Sequence, residues 1–331
     1  MSVAPLSVAE LDTAFAVIMD GQASEAEIRS FLTRTVQQMT DPEALAAGAR
    51  ALRSRMIAMA APEGAIDVCG TGGDGAHTLN ISTAVAFVVA GCGVPVAKHG
   101  NRAMSSKSGA ADVLEALGVK LTGDGPTLEQ CLREAGIAFL FAQNHHPAMR
   151  HVAAARRELG HRTIFNLLGP LSNPARVKRQ LVGVFSPEAV TPMAKALALL
   201  NAERAWVVHG AGGLDELSCQ GPCMAAETVC GEVIRQFGIL SADAGIGAFD
   251  NAAVRGGDAA HNAAQLSDLL AGRLEGAAYE NFVLLNAGAA LLVAGRGARL
   301  ADGVVLARGA LREGRALEAL DKLRALTGSA P

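Results

Sequence analysis

Charge is scarce in this sequence, and neither sign prevails. Of 331 residues, 18% are charged, and 29 basic against 32 acidic side chains leave a formal charge of -3. Such a balance offers no global field to nucleic acid or an anionic membrane, so any affinity for phosphate has to be local. Long apolar runs are also missing. The two longest, Ala84 to Ala97 and Phe282 to Gly295, are interrupted by Gly, Pro or Asn and fall short of the roughly 20 residues that a spanning helix needs. No basic and apolar leader surrounds Glu10 and Asp12, which makes the cytoplasm the expected compartment. The six cysteines (Cys69, Cys92, Cys131, Cys219, Cys223 and Cys230) include no C-x-x-C pair. Buried reduced thiols are expected rather than disulfides or a zinc site.

What is present is a chain that is half hydrophobic, enough to build a large core without staples. The first sixty residues read as helices. Ser7 is placed to cap a run from Val8 to Met19, and Ser24 caps one from Glu25 to Met39, with Glu27 completing a capping box. A third run follows Asp41, from Pro42 to Met59, and the breaker Ala61-Pro62-Glu63-Gly64 ends the helical part. From Ala65 onward short apolar strands alternate with helices. Ile66 to Cys69 precedes a helix from Thr83 to Ala90, and Val94 to Ala97 precedes one from Ala110 to Leu117. A helix from Thr127 to Ala135 leads into a strand from Ile137 to Phe141. Gln180 to Phe185, a helix reaching Leu200, and Ala205 to His209 continue the series. The alternation predicts an α/β fold, with a small N-terminal helical domain over residues 1–64 and a larger domain over 65–331. The larger domain has a mainly parallel central sheet flanked by helices, and helices around 160–180 are candidates to join the smaller one. Ligands of such sheets bind beyond the carboxyl ends of the strands.

The loop after the first strand carries Gly70, Gly72, Gly73 and Gly75 within six residues, then Thr78, Asn80, Ile81, Ser82 and Thr83 at a helix start. Glycines let backbone N–H groups approach an anion, and the helix N-terminus adds its dipole, so the segment describes a phosphate cradle. Glycines and hydroxyls of this kind also build ordinary turns. A dinucleotide fold would need an acidic residue at the end of the next strand. That position holds Lys98-His99, which favours another phosphate contact. There is no G-x-x-x-x-G-K-[ST] segment either.

A second loop, from Lys98, His99, Gly100, Asn101 and Arg102 through Ala103, Met104, Ser105 and Ser106 to Gly109, gathers cations and hydroxyls at the same edge. Two of only six lysines lie in it, a composition suited to a polyphosphate. Asp215-Glu216 follows the strand ending at His209. Adjacent carboxylates near a phosphate site suit Mg2+, which takes one or two carboxylates and fills its shell with substrate oxygens and water. The segment from Asn144 to Arg157, with His145, His146, Arg150 and Arg156, reads as helical. An arginine there can clamp a carboxylate in bidentate fashion, although helical surfaces often carry arginines.

Taken together, the glycine loop with Asn80-Ile81-Ser82-Thr83, the run from Lys98 to Ser106 with Ala111-Asp112-Val113-Leu114, the stretch Gly160 to Leu171 and Gly213-Leu214-Asp215-Glu216 resemble the anthranilate phosphoribosyltransferase family over most of the chain. The resemblance implies a nucleoside phosphorylase/phosphoribosyltransferase-like fold and a homodimer. It also implies Mg2+-dependent transfer of a phosphoribosyl unit from phosphoribosyl pyrophosphate (PRPP) to the amino group of anthranilate. It places Gly70, Gly73, Asp74, Thr78, Asn80 to Thr83, Lys98 to Ser106 and Ala110 around PRPP. Ala110 stands where many relatives have serine. Gly70, Asn101, His146 and Arg156 would meet anthranilate, and Ser82, Asp215 and Glu216 the metal. No general base is assigned, and His99 and His146 are the candidates. The rival readings are a related transferase or phosphorylase acting on a nucleobase, and a silent relative that binds nucleic acid or protein. The slight acidity of the chain argues against nucleic acid.

Overall fold

The computed structural model describes residues 5–103 and 107–328. Three helices open the chain: α1 (Val8–Met19), α2 (Glu25–Arg34) and α3 (Pro42–Arg53). Each starts at a side-chain cap. Ser7 and Ser24 close full capping boxes with Glu10 and Glu27, and Asp41 accepts from the Glu43 N–H. The helix expected to reach Met39 ends at Arg34 and tightens into a 3-10 turn over Thr35–Gln38. There the Gln38 amide turns back to bond the N–H and carbonyl of Leu6, at 2.8 and 2.9 Å. The run expected to reach Met59 stops at Arg53. Beyond it the Ile57 N–H donates to the His145 carbonyl and the Met59 N–H to that of Pro174, so other segments satisfy this backbone in place of a helix.

The alternating part follows as β1 (Ile66–Gly70), α4 (Ile81–Gly91), β2 (Val96–Gly100), α5 (Ala110–Ala116), α6 (Gly125–Glu134) and β3 (Ile137–Phe141). Next come α7 (Ala142–His145), α8 (Arg150–Leu159), α9 (Phe165–Leu168), β4 (Arg179–Gly183), α10 (Val190–Leu199) and β5 (Arg204–His209). An antiparallel hairpin, β6 (Cys223–Val229) and β7 (Glu232–Ile239), extends the sheet. Helices α11 (Ala259–Leu270), α12 (Ala278–Val293), α13 (Leu300–Arg312) and α14 (Arg315–Gly328) close the chain.

The seven strands lie in the order β3-β2-β1-β4-β5-β6-β7, with the first five parallel. The mainly parallel sheet is as expected from the alternation. The hairpin is an addition, because Cys223 to Ile239 carries too many polar residues to read as a buried strand. The strand period of two divides the core. Val68, Leu181, Trp206 and Val208 join the cluster under α4, α12 and α14, while Cys69, Val182, Ala205 and Val207 join the one under α1, α3 and α8–α10. The N-terminal helices therefore share a core with α8, α9 and one face of the sheet. Phe15 packs edge-on to Phe31 and Phe165, at 5.0 and 5.8 Å between centroids. No helix among the described residues is long and apolar enough to cross a membrane.

The chain leaves β1 toward β2 and β3 on one side, then returns to build β4 and β5 on the other. The direction of winding reverses between β1 and β4, which opens a crevice at their carboxyl ends.

Candidate active site

Gly70 and Gly183 end β1 and β4 and face each other in register. A Cβ on Gly70 would overlap Asp215 Oδ2, and one on Gly183 would overlap the Asp215 carbonyl. The two glycines thus leave the room into which the Asp215-Glu216 turn descends, directly over the switch point. Asp215 Oδ2 accepts the Gly72 N–H at 2.6 Å, and Glu216 Oε1 accepts the Ser82 N–H at 2.9 Å. Glycine loop, helix start and carboxylate pair meet in one place.

The glycine loop has the geometry of an anion cradle. Gly72, Gly73 and Gly75 take left-handed φ values of 67°, 75° and 76°, a conformation that glycine adopts without strain. The N–H groups of Gly73, Asp74 and Gly75 have no acceptor among the described residues, the arrangement that backbone anion nests share. Helix α4 starts at Ile81, earlier than the expected Thr83, which puts Ser82 in its first turn. Asn80 does not cap with its side chain. Its Oδ1 accepts from Asn262 Nδ2 at 2.8 Å and its carbonyl from the Tyr279 hydroxyl at 3.4 Å. Ile81 and Thr83 are buried, and Thr83 Oγ1 has no partner among the described residues. Thr78 forms an isolated bridge with Arg255 that pins the loop's far end.

The carboxylate pair is electrostatically unsatisfied. Asp215 and Glu216 keep some exposed surface, yet their carboxyl groups lie deep. Burial, with Asp74 close by, pushes the Asp215 carboxyl up to about 7. Burial and the neighbouring Asp215 raise Glu216 well above the usual carboxylate range. Two adjacent carboxylates that disfavour their own charge fit a divalent cation, which restores the ionised forms. Among the described residues no three His, Cys, Asp or Glu side chains gather to hold a metal alone, so the donor set suits an ion that completes its shell from elsewhere.

The second segment differs from the expected loop. Lys98, His99 and Gly100 are the last three residues of β2. Lys98 is buried, and its ammonium donates to the Val68 carbonyl at 2.7 Å and to Ser82 Oγ at 3.2 Å. Burial lowers its pKa, opposed by the charge of Asp67. It underlies the cradle and orients Ser82, and is not presented to solvent. Asp67 is itself buried, which raises its pKa, and is held by the His99 N–H at 3.1 Å and Asn173 Nδ2 at 2.8 Å. Arg102 is also committed elsewhere: it pairs with Asp112 at 3.0 Å and Glu115 at 2.5 Å. Asp112 in turn accepts the N–H groups of Ala103 and Gly109, closing the base of the loop at α5, where Ala110 is the first residue. Asn101 is exposed. Met104, Ser105 and Ser106 lie outside the described residues.

The stretch from Asn144 to Arg157 is not one helix. Pro147 breaks it into α7, a 3-10 turn and α8, because proline cannot supply the N–H that a continuing helix needs. The break leaves His146 off the helix and lets its ring reach His99, with Nε2 to Nε2 at 3.2 Å. The Gly169 carbonyl, 3.1 Å from His99 Nδ1, can only accept, so His99 carries its proton on Nδ1. His99 Nε2 then accepts from His146 Nε2–H, and His146 Nδ1 is left buried without a partner among the described residues. Burial, aided by the His146 imidazole, depresses His99 to about 3, and burial, aided by the His145 imidazole, depresses His146 to about 4. Both rings are neutral near pH 7.

Arg156 lies on α8 with its guanidinium 5.8 Å from the centroid of Phe165. It forms no hydrogen bond or ion pair among the described residues, and burial lowers its pKa. A half-buried cation of this kind lacks an anion. Three residues were not anticipated from sequence. Asp67 and Asn173 buttress β2 from beneath, and Arg162 stacks 3.9 Å from the Phe185 centroid while donating to the Gly73 carbonyl. A lone aspartate inside an apolar strand was the available signal for the first.

Residues 62–317 match the profile of the glycosyl transferase family, a/b domain. The anthranilate phosphoribosyltransferase of Mesorhizobium japonicum is 49% identical over 318 residues, spanning 96% of this chain and 94% of the relative. The crystal structure of the Thermus thermophilus anthranilate phosphoribosyltransferase is similar with a TM-score of 0.92 and 40% identity, covering 98% and 97% of the two chains. The Saccharomyces cerevisiae enzyme, solved in complex with PRPP and Mg, aligns with a TM-score of 0.90 and 28% identity over 98% and 94%.

Proposed function

The chain belongs to the anthranilate phosphoribosyltransferase family, and from that premise we propose how its own residues carry out the transfer. The reaction moves the 5-phosphoribosyl group of PRPP to the amino nitrogen of anthranilate, giving N-(5-phosphoribosyl)anthranilate and pyrophosphate. The observation that carries the reading is the meeting, at the β1/β4 switch point, of a glycine loop with free N–H groups and a buried carboxylate pair tied to it through Gly72 and Ser82.

PRPP lies along the glycine loop and the start of α4. Gly70, Gly73, Asp74, Thr78, Asn80 and Ser82 surround it, with Asn101, the residue after β2, on its other side. Breaking the bond from C1 to the diphosphate oxygen builds negative charge on the leaving group and positive charge on the ribose ring. Fixed N–H donors in a crevice answer the first charge without reorganising. Lys98 holds the Ser82 hydroxyl from beneath. Ser82, Asp215 and Glu216 would hold Mg2+, which supplies positive charge to the leaving diphosphate when bound.

Arg156 receives the anthranilate carboxylate, since its guanidinium has no anion of its own. Gly70, Asn101 and His146 border the acceptor. The new C1–N bond forms with the nitrogen lone pair as the C1–O bond to the diphosphate breaks, and the amino group then loses a proton to solvent water. His99 and His146 are poor acceptors for it, because the one holds its lone pair against the other and burial keeps both weakly basic. Orientation of the two substrates is thus the main contribution of the site. Placement in the cytoplasm and assembly as a homodimer rest on family membership, and sedimentation velocity tests the dimer.

The purified chain with PRPP, anthranilate and Mg2+ is expected to extinguish anthranilate fluorescence, and chelation of the metal to stop it. Folded protein without turnover overturns the reading.

A further inference from the structure

Helix α12 is the most buried helix of the fold, with every residue from Tyr279 to Val293 in the interior. Three polar side chains interrupt it. Glu280 and Asn281 serve its first turn, bonding the N–H of Gly276 and the carbonyls of Gly276 and Ala277. Asn286 sits in the middle, 3% exposed, and serves a different segment. Its Oδ1 accepts the Leu217 N–H at 2.9 Å, and its Nδ2 donates to the Leu217 carbonyl at 2.9 Å and the Phe282 carbonyl at 2.9 Å. The paired bonds grip Leu217 as a neighbouring strand would.

Leu217 follows Glu216, and its N–H belongs to the peptide plane that begins at the Glu216 carbonyl carbon. Asn286 therefore sets the backbone from which the Glu216 carboxylate departs. The other side of that peptide is also confined, because a Cβ on Gly210 would overlap the Glu216 carbonyl oxygen. Asn286 lines the same small pocket as Ser82, Asp215 and Glu216. A leucine of similar size would suit the apolar helix but would leave the Leu217 N–H and carbonyl without partners.

We propose that Asn286 is a positioning residue for the Asp215-Glu216 pair, holding the Glu216 peptide so that both carboxylates face the same cation. The proposal rests on the assignment of these carboxylates to Mg2+. Partners one step removed from metal ligands are typically worth about 10- to 100-fold in metal affinity.

The test is calorimetric titration of PRPP into Asn286→Ala at saturating and at limiting Mg2+, with Asn281→Ala as a control for losing a buried amide from the same helix. The Mg2+ concentration for half-maximal PRPP affinity is expected to rise about 10-fold or more in Asn286→Ala, with the KM for anthranilate unmoved. Asn281→Ala should melt earlier yet keep the unaltered Mg2+ dependence. If Asn286→Ala does not fold, Asn286→Ser, which keeps a polar group, is measured in its place. Failure of both to fold assigns Asn286 to the core alone and overturns the proposal. So does a folded variant with unchanged Mg2+ dependence, or an equal loss in Asn281→Ala. PRPP binding by the unaltered chain that ignores Mg2+ overturns the cation assignment and this proposal together, whereas Mg2+-dependent binding unchanged by the variant overturns the proposal alone.

Discussion

Gly183→Ala adds one methyl group where the site has no room for it. Its Cβ would stand at covalent-bond distance from the Asp215 carbonyl oxygen and 3.2 Å from the Asp215 Cα. Non-bonded atoms need roughly 3.5 Å, so about 2 Å of movement must be found. The strand cannot supply it, since Gly183 pairs with Gly70 on one side and Val208 on the other, and its carbonyl accepts the Thr71 N–H at 3.0 Å. Asp215 must retreat instead, breaking its 2.6 Å bond to the Gly72 N–H and leaving the cradle. Misplacing a reacting group by about 1 Å can cost on the order of 100-fold, so kcat/KM is expected to fall at least ~100-fold, about 2.7 kcal/mol of transition-state stabilisation. Overpacking removes about 1–3 kcal/mol of stability as well. Gly64→Ala separates the two effects: its φ of 75° strains an alanine, but no atom lies within 4 Å of the new Cβ. It should lower the melting temperature and spare the rate. The fluorescence assay and thermal melts read both. A Gly183→Ala protein with ordinary kcat/KM would refute the placement of Asp215 over the switch point.

Arg156→Ala is expected to raise the KM for anthranilate about 10- to 100-fold with little change in kcat, and Arg156→Lys to restore only part, because an ammonium lacks the planar fork that matches a carboxylate; an unchanged KM removes Arg156 from the acceptor site. His99 and His146 have native pKa values of about 3 and about 4, below the ordinary value near 6.5. The unfolded chain therefore binds more protons than the native one between those limits. Their contribution to stability is complete above pH 6.5 and falls as pH drops toward 4, by about 1.4 kcal/mol per pH unit for each ring. Urea melts at pH 7, 6 and 5 should show a shallower acid loss for His146→Gln, by about one proton's worth, and an identical slope would exclude the buried neutral pair.

Much of the site was readable along the chain. The glycine loop, Ser82 and Asp215-Glu216 are short segments whose residue types carry their own conformational preference, and each falls after a strand. Capping boxes at Ser7 and Ser24 were equally plain, since their partners are three residues away. Lys98 and His99 read as the point where strand gives way to loop, because a charged or polar residue at a strand end looks like surface. Only the packing of Asp67, Asn173 and His146 around β2 makes their burial tolerable. Arg102 had the composition of a phosphate ligand, and the arrival of α5 gave it Asp112 and Glu115 instead.

Local chemistry in the sequence determined which segments form helices, strands and anion-friendly turns, and it identified the family those turns belong to. Tertiary structure alone decided which of them meet. Gly183 and Asn286 are ordinary residues in their own elements. They matter because a reversal in strand order brings β1 and β4 together beneath Asp215, and because α12 crosses behind Leu217. Such contacts join positions roughly 30 to 140 residues apart along the chain, and no local propensity or periodicity encodes separations of that length.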